Sequence, residues 1–176
     1  MNWLNYIHLT DLWLFHRFGA RRPTSFPIKL SRIVSKTADG QLYLLFMAVF
    51  GLLHKQDGFL FIKTILIAFC IERSLYFLLK NSFKRNRPAD SISGFESNIT
   101  PNDQFSFPSG HTSAAFLFAV MVGQTFPTLQ PWLFVWASLV ALSRVLLGVH
   151  FPFDTVVGAV LGSSIALLVV TQGVIL

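Results

Sequence analysis

Five apolar stretches, separated by short polar segments, dominate the hydropathy pattern of the chain from residue 40 onward. They cover residues 40–54, 58–83, 109–126, 130–149 and 152–174. A helix that crosses a bilayer needs roughly 17–25 predominantly apolar residues. The first stretch is therefore short, and it would cross only if its helix began upstream, near Ile33. The pattern predicts an all-α, polytopic membrane helical bundle of five to six helices.

Residues 1–39 depart from this pattern. Residues 1–18 are apolar and aromatic, but polar residues interrupt them at four positions: Asn5, His8, Asp11 and His16. Such a segment is typical of a helix that lies in the membrane interface, although a crossing helix stays an alternative. A basic connector follows, with a short amphipathic helix expected over residues 31–39. We therefore divide a single domain, residues 1–176, into an interfacial segment (1–39) and a transmembrane core (40–176).

The composition agrees with a membrane protein and disfavours other classes. Apolar residues make up 53% of the chain and charged residues 12%, and 19 of the 176 residues are Phe, which is unlike a soluble domain. The formal charge of +6 suits anionic lipid or topology signals, and no nucleic acid partner is expected from so few charges. The single cysteine, Cys70, excludes an intramolecular disulfide.

Three polar clusters stand at the ends of apolar stretches. They are Lys80 with Arg87-Pro88, then Pro108-Ser109-Gly110-His111, then Ser143-Arg144 with His150 and Asp154. Counting membrane crossings puts all three on one face, because each stretch reverses the direction of the one before it. The apolar ends at the other face carry almost no reactive groups. We therefore predict one polar site at one membrane face.

The cationic members of these clusters favour a phosphate site. Arginine presents a planar fork that matches phosphate oxygens, so Arg87 and Arg144 are predicted to clamp a phosphoryl group. Lys80 would add a point charge. A proline followed by Ser109 indicates a helix start. There the Ser109 hydroxyl and the backbone N–H of Gly110 would complete an anion cradle.

The histidines and the aspartate favour phosphoryl and proton transfer. Asp154 follows His150 by four residues, and a carboxylate at one imidazole nitrogen fixes the tautomer and raises the nucleophilicity of the other. We therefore predict that His150 attacks phosphorus and forms a phospho-histidine, with Asp154 as its orienting group. His111 is predicted to protonate the leaving group and then to activate the hydrolytic water.

No metal or cofactor is predicted at this site. Two histidines and an aspartate could hold zinc, but the surrounding cationic side chains oppose a divalent ion. Taken singly, each residue has a structural interpretation that is equally good, such as snorkelling by Arg144 or helix capping by His150. Their common position on one face favours the functional interpretation.

The clusters resemble the three-part signature of the type-2 phosphatidic acid phosphatase (PAP2) superfamily. In the first part of the match, six residues separate Lys80 from Arg87-Pro88, and the second part is the tetrad at 108–111. In the third part, five residues separate Ser143-Arg144 from His150, and three more separate His150 from Asp154. The resemblance implies a metal-independent phosphatase with a helical core shared with soluble acid phosphatases and vanadium haloperoxidases. It implies the same residue roles. Membrane members usually have six spans, so the polar-interrupted N-terminus is a departure.

The expected substrate is a membrane lipid whose phosphate lies at head-group depth, because the site lies at the ends of the helices. Undecaprenyl diphosphate is favoured on the frequency of that activity among small bacterial relatives. Phosphatidylglycerol phosphate, phosphatidic acid and the 1-phosphate of lipid A are alternatives. A non-catalytic lipid-phosphate binder is a second functional class, which the presence of both histidines disfavours.

The expected location is a bacterial inner membrane, but two arguments about orientation conflict. Lysine and arginine are concentrated on the face of the site, which would face the cytoplasm under the positive-inside rule. The resemblance implies the outer face, and basic residues beside a site for anionic lipid have a second reason to be there. We expect the site on the outer face.

One charged pair, Glu72 and Arg73, lies inside the second apolar stretch and outside the signature. Adjacent helical positions diverge by about 100°, so these side chains are not expected to face each other. Charged residues in a membrane need partners. We predict that Glu72 bonds to a neighbouring helix and that Arg73, about two turns before Lys80, lies beneath the phosphate cradle.

Overall fold

The computed structural model describes residues 3–18, 25–101 and 103–172, and every regular element in these ranges is a helix. In chain order they are α1 (Trp3–Phe18), α2 (Phe26–Lys36), α3 (Gln41–Leu53), α4 (Lys55–Phe83), α5 (Pro88–Ser91), α6 (Gly110–Thr125), a 3₁₀ turn (Pro127–Leu129), α7 (Gln130–Leu146) and α8 (Pro152–Thr171). The predicted all-α class is confirmed. The described residues hold more helices than predicted, because the N-terminal segment forms two and the loop after α4 contains α5.

Helix α6 is the centre of the bundle. It is rich in small residues, and 12 of its 16 residues are buried. It packs most extensively against α8 and α7 and also contacts α4, while α3 packs against α4. One hydrophobic core joins these five helices and includes Ile65, Leu117, Met121, Val140 and Ile165. The start of α6, which carries His111, is therefore anchored to a rigid core.

Helices α6 and α8 approach too closely for a side chain to fit between them. A Cβ atom at Gly158 would lie 2.6 Å from the carbonyl oxygen of Ser109, and one at Gly162 would lie 2.0 Å from that of Ser113. The absence of a side chain at these two glycines therefore permits the close packing of α6 against α8. This packing also brings the N–H of Ser109 within 3.0 Å of the carbonyl oxygen of Asp154.

The chain breaks between α2 and α3. The upstream start near Ile33, which would let the first apolar stretch cross a bilayer, is not observed, because α2 ends at Lys36 and α3 begins at Gln41. Gly40 ends the break with a φ of 98°, a left-handed conformation that glycine adopts without a steric penalty. The resulting turn carries Asp39 to the mouth of the cavity described below.

The amphipathic helix expected over residues 31–39 begins earlier, at Phe26. Pro27 stands in its first turn, where the missing N–H has no intrahelical acceptor to lose. Arg21 and Arg22 of the basic connector lie outside the described residues. The division of the chain at residue 39 stays a prediction.

The outer surface of the bundle is apolar. Among the described residues, two segments are long and apolar enough to cross a membrane, Pro127–Leu146 and Pro152–Thr171. The other predicted spans do not meet that criterion, because α3 has 13 residues, α6 has 16, and α4 carries charged residues along its 29. Large apolar side chains nevertheless face outward on α3 and α4, among them Leu44, Leu52, Phe59 and Leu78. A surface of this extent suits contact with lipid chains.

Candidate active site

A cavity of about 760 Å³ lies where α6 begins and the chain passes from α7 to α8. Five predicted site residues line its polar end: Arg87, Gly110, His111, Arg144 and His150. Three charged residues outside the predicted site line it as well: Asp39, Arg73 and Asp103. The other end, between α3 and α4, is apolar and is lined by Leu44, Met47, Leu66, Phe69 and Phe77. The cavity therefore has one polar and one apolar end.

His150 lies in the loop between α7 and α8, beside Asp154 in the first turn of α8. The loop turns at Gly148, whose φ is 76°, and it leaves only 2% of His150 exposed. Nδ1 of His150 is 3.8 Å from Oδ2 of Asp154, an electrostatic contact rather than a hydrogen bond. Burial, opposed by Asp154, lowers the pKa of His150 to about 4. The imidazole is therefore neutral at pH 7, and a nucleophile needs that form.

A hydrogen-bond network links Asp154 to the N-terminal helix. Its Oδ2 accepts from the N–H of Phe151 at 2.9 Å, and its Oδ1 accepts from Nη1 of Arg85 at 2.6 Å. Nη2 of Arg85 donates to Oδ2 of Asp11 at 2.7 Å, and Oδ1 of Asp11 accepts from the N–H of Phe153 at 2.8 Å. Sequence reasoning missed both Arg85 and Asp11. The available signal was Asp11, the single carboxylate of α1.

Two of the predicted cradle cations, Lys80 and Arg87, pair with the same carboxylate, that of Asp103, which lies outside the three motifs. Lys80 and Arg87 each form an ion pair with Asp103, and the hydroxyl of Tyr76 donates to Oδ2 of Asp103 at 2.6 Å. Burial alone would raise the pKa of Asp103, but the hydrogen bonds from Lys80 and Tyr76 and the nearby cations lower it to about 2. Asp103 is therefore ionised, and an incoming phosphate has to share or replace its contacts.

Arg144 and the start of α6 form the rest of the polar wall. Nη1 of Arg144 donates to a serine hydroxyl of α2 at 2.6 Å, and its Nε has no hydrogen-bond partner among the described residues. This Nε is closed to solvent, so its unpaired donor is buried. A Cβ atom at Gly110 would lie 2.9 Å from the ring of Tyr76, so only glycine fits there. The buried hydroxyl of Ser109 pairs with that of Thr112 at 2.9 Å.

His111, the second residue of α6, has a carboxylate partner of its own. Its Nε2 lies 2.8 Å from Oδ1 of Asp39, in the turn between α2 and α3. The two residues are 72 positions apart, so no local spacing predicts the contact. The side chains are 22% and 47% exposed, respectively. The polar end of the cavity therefore holds a second histidine–carboxylate pair, more open to solvent than His150 and Asp154.

The expectation that Glu72 and Arg73 do not face each other is wrong. Nε and Nη2 of Arg73 donate to the two carboxylate oxygens of Glu72, with 2.5 Å between Nη2 and Oε1. The arginine side chain is long enough to fold back and close the angle between adjacent helical positions. Nη2 of Arg73 also lies 3.3 Å from the carbonyl oxygen of Gly110. Arg73 is thus beneath the predicted cradle, as expected.

Fold and cavity together define an all-α membrane protein with a cavity lined by arginines, two aspartates and two histidines. The PAP2 superfamily model matches residues 57–174, and the chain belongs to this superfamily. The resemblance inferred from the three polar clusters is confirmed.

Two curated relatives show the range of lipids named within the family. The chain is 33% identical over 103 residues to a decaprenylphosphoryl-5-phosphoribose phosphatase of Mycobacterium tuberculosis, covering 58% of this chain and 56% of that one. It is 40% identical over 72 residues to an undecaprenyl-diphosphatase of Sulfolobus acidocaldarius, covering 39% and 33%. The matched regions thus span about half or less of these relatives.

Solved structures match over more of the chain. The crystal structure of LpxE from Aquifex aeolicus superposes with a TM-score of 0.79 at 26% identity, covering 91% of this chain and 94% of that one. A transmembrane PAP2-type phosphatidylglycerolphosphate phosphatase from Bacillus subtilis superposes with a TM-score of 0.74 at 26% identity, covering 96% and 86%. The architecture is therefore shared almost from end to end.

Proposed function

We propose that this protein is a lipid phosphatase that works through a phospho-histidine. The observation that carries the proposal is the cavity with two unlike ends. Its polar end joins His150, His111 and several cations, and its apolar end lies between α3 and α4. A phosphate attached to a long apolar chain has this distribution of polarity, and a free phosphate or a sugar phosphate does not.

In the first chemical step, Nε2 of His150 attacks phosphorus. An N–P bond forms while the bond from phosphorus to the leaving-group oxygen breaks, and that oxygen takes a proton from His111. Asp154 faces Nδ1 of His150 at 3.8 Å and stabilises the positive charge that develops on the ring. The product that leaves is a lipid alcohol, or a lipid monophosphate when the substrate is a diphosphate.

In the second step, water hydrolyses the phospho-histidine. His111, which lost its proton in the first step, accepts one from the attacking water, while the N–P bond breaks and its electrons return to His150. Inorganic phosphate leaves, and both histidines regain their starting protonation states. The same side chain therefore serves as acid and then as base.

Positive charge from the protein replaces a metal ion in this proposal. Arg87 and Arg144 line the cavity, and Lys80 pairs with Asp103 beside them; in this proposal their fixed charge stabilises the phosphoryl group in flight. EDTA should therefore leave the rate unchanged. Vanadate, which adopts a trigonal-bipyramidal geometry, should inhibit. A strict requirement for magnesium or zinc would contradict this step.

Undecaprenyl diphosphate is the substrate that we favour, in a bacterial inner membrane with the cavity on the outer face. Two relatives named for decaprenyl and undecaprenyl lipids support a polyprenyl substrate. Phosphatidylglycerol phosphate, phosphatidic acid and lipid A 1-phosphate are the alternatives. One similar solved structure is a phosphatase named for the first of these lipids. Release of phosphate from each lipid, presented at equal density in mixed micelles, would rank them.

The test of the proposed function is phosphate release by the purified protein in detergent, with and without EDTA. We expect release from at least one lipid phosphate by the wild type and none by His150→Gln. His54→Gln is the matched control, because His54 is an exposed histidine at the opposite end of the bundle. Saturable lipid binding without phosphate release would instead support the non-catalytic binder.

A further inference from the structure

Asp39 holds the one carboxylate that contacts His111 among the described residues. It lies outside the three motifs, in the turn formed because α2 and α3 are separate helices. Its Oδ1 is 2.8 Å from Nε2 of His111. Among the described residues, His111 is the one hydrogen-bond partner of the Asp39 side chain. Because half of the side chain is exposed, the contact is not a consequence of core packing.

The charges that face His111 make this carboxylate significant. Burial is the largest influence that opposes a proton on the ring, Arg144 from α7 and Arg73 from α4 add to it, and Asp39 is the neighbour that favours the proton. The rest of the polar lining adds Arg87, Asp103 and His150, and Asp103 is already neutralised by its own ion pairs. Without Asp39, the surroundings of His111 would be dominated by cations. A general acid in such surroundings would lose its proton too readily.

We propose that Asp39 is a positioning residue for the acid–base histidine of the reaction, a role that rests on the proposed function. It accepts a hydrogen bond from Nε2–H of His111 and so leaves Nδ1, for which the described residues provide no partner, to face the substrate. In the first step, Nδ1–H gives its proton to the leaving oxygen, and Nε2–H remains bonded to Asp39. The neutral ring then has its lone pair on Nδ1, which is the nitrogen that must accept the proton of water.

The two steps therefore need the same tautomer, and Asp39 selects it in both. The carboxylate stabilises the imidazolium before the first transfer and keeps the proton on Nε2 after it. No proton moves to Asp39 at any stage. This role differs from that of Asp154, which supports a nucleophile and lies on a different element.

The experiment compares Asp39→Asn with Asp90→Asn, the same loss of charge at an exposed aspartate of α5 on the same face of the bundle. With an alkyl-phosphate lipid, Asp39→Asn should lower kcat by about 10- to 100-fold and move the alkaline limb of the kcat profile to lower pH. Asp90→Asn should match the wild type. A nitrophenyl phosphate with an apolar tail needs little protonation of its leaving group. With this substrate, Asp39→Asn should therefore lower the rate of the phosphorylation step by a smaller factor than with the alkyl-phosphate lipid.

Two further variants separate positioning from a purely structural role. Asp39→Glu should recover most of the activity, because it restores the carboxylate. In a His111→Gln background, Asp39→Asn should have almost no additional effect on kcat, because its only route to the chemistry has been removed. Melting temperatures of all variants report folding independently.

The outcomes are distinguishable from those of the proposed function. If the wild type releases no phosphate from any lipid, the proposed function and this role are both overturned. If the wild type is active but Asp39→Asn matches Asp90→Asn in kcat and pH profile, only the role of Asp39 is overturned. Equal additional losses in the wild-type and His111→Gln backgrounds would also overturn it.

Discussion

The cavity contains two histidine–aspartate pairs that differ in burial more than in chemistry. His150 and Asp154 are 2% and 0% exposed and lie in one loop and helix start. His111 and Asp39 have side chains that are 22% and 47% exposed, and two separate turns of the chain bring them together. Burial disfavours the charged imidazole, and an adjacent carboxylate favours it. Burial is the largest influence against charge on both rings, but His111 and its carboxylate are the more open pair.

Under the proposed function, this difference would let two similar pairs perform opposite tasks. A nucleophile must be neutral when substrate arrives, and the buried position of His150 keeps it so. A general acid must carry a proton at that moment, and a half-exposed carboxylate beside His111 favours this without the cost of burying an ion pair. The comparison leads to four predictions, of which the first has the largest expected effect.

Loss of the buried histidine should abolish turnover. His150→Gln removes the atom that attacks phosphorus, so we expect kcat to fall by at least about 10³-fold with a normal melting temperature. Phosphate release at saturating lipid measures this, with His54→Gln as the control. Activity above a few per cent in a folded variant would remove His150 from the nucleophilic role.

The network behind the buried pair should matter less, but measurably. Arg85→Gln leaves the carboxylates of Asp154 and Asp11 without the cation that joins them, so we expect kcat to fall by about 10- to 100-fold and stability to decrease. Lys84→Gln removes an adjacent, exposed cation and should leave kcat unchanged. Equal effects of the two substitutions would show that Arg85 acts only through the overall charge of this face.

Beneath the cradle, Glu72→Ala should affect stability more than catalysis. The fully buried carboxylate pairs with Arg73, and an unpaired group there costs about 1–3 kcal/mol. We expect a lower melting temperature and a kcat within a few-fold of the wild type. Glu96→Ala, at an exposed position, is the control. A normal melting temperature with much weaker lipid binding would instead place Glu72 in substrate recognition.

The smallest expected effect is an absence of loss on mild acidification. Because burial lowers the pKa of His150 to about 4, the proposed nucleophile stays neutral well below the value of about 6.5 for a free imidazole. kcat should therefore not fall between about pH 7 and pH 5.5, and any change should be a rise as His111, the proposed acid, gains its proton. A single-proton loss of kcat centred near pH 6.5 would show that His150 is not shielded as described.

Residue types and local spacing were sufficient to predict the motif part of the site. Arg87 after the end of one apolar stretch, and His111 at the start of the next, line one cavity because consecutive helices reverse direction. His150 and Asp154 are four residues apart and need only a loop and a helix start to approach each other. These relations follow from hydropathy, helix geometry and chain order.

The partners of the motif residues could not be predicted in the same way. Asp39 meets His111 across 72 residues, and Asp11 meets Arg85 across 74, so each contact depends on how helices pack rather than on any period in the sequence. Asp103 lies in an irregular loop, which has no periodicity at all. The break between α2 and α3 depends on the positive φ of Gly40, which a hydropathy pattern does not predict.

The central claim is that the phosphoryl group passes through His150, and rapid-quench analysis with a lipid labelled in its terminal phosphate tests it most directly. The wild type should form an acid-labile, alkali-stable phosphoenzyme before phosphate appears, and peptide mapping should place the label on His150. His150→Gln should form none. Release of phosphate without any labelled protein, or a label on another residue, would contradict the account.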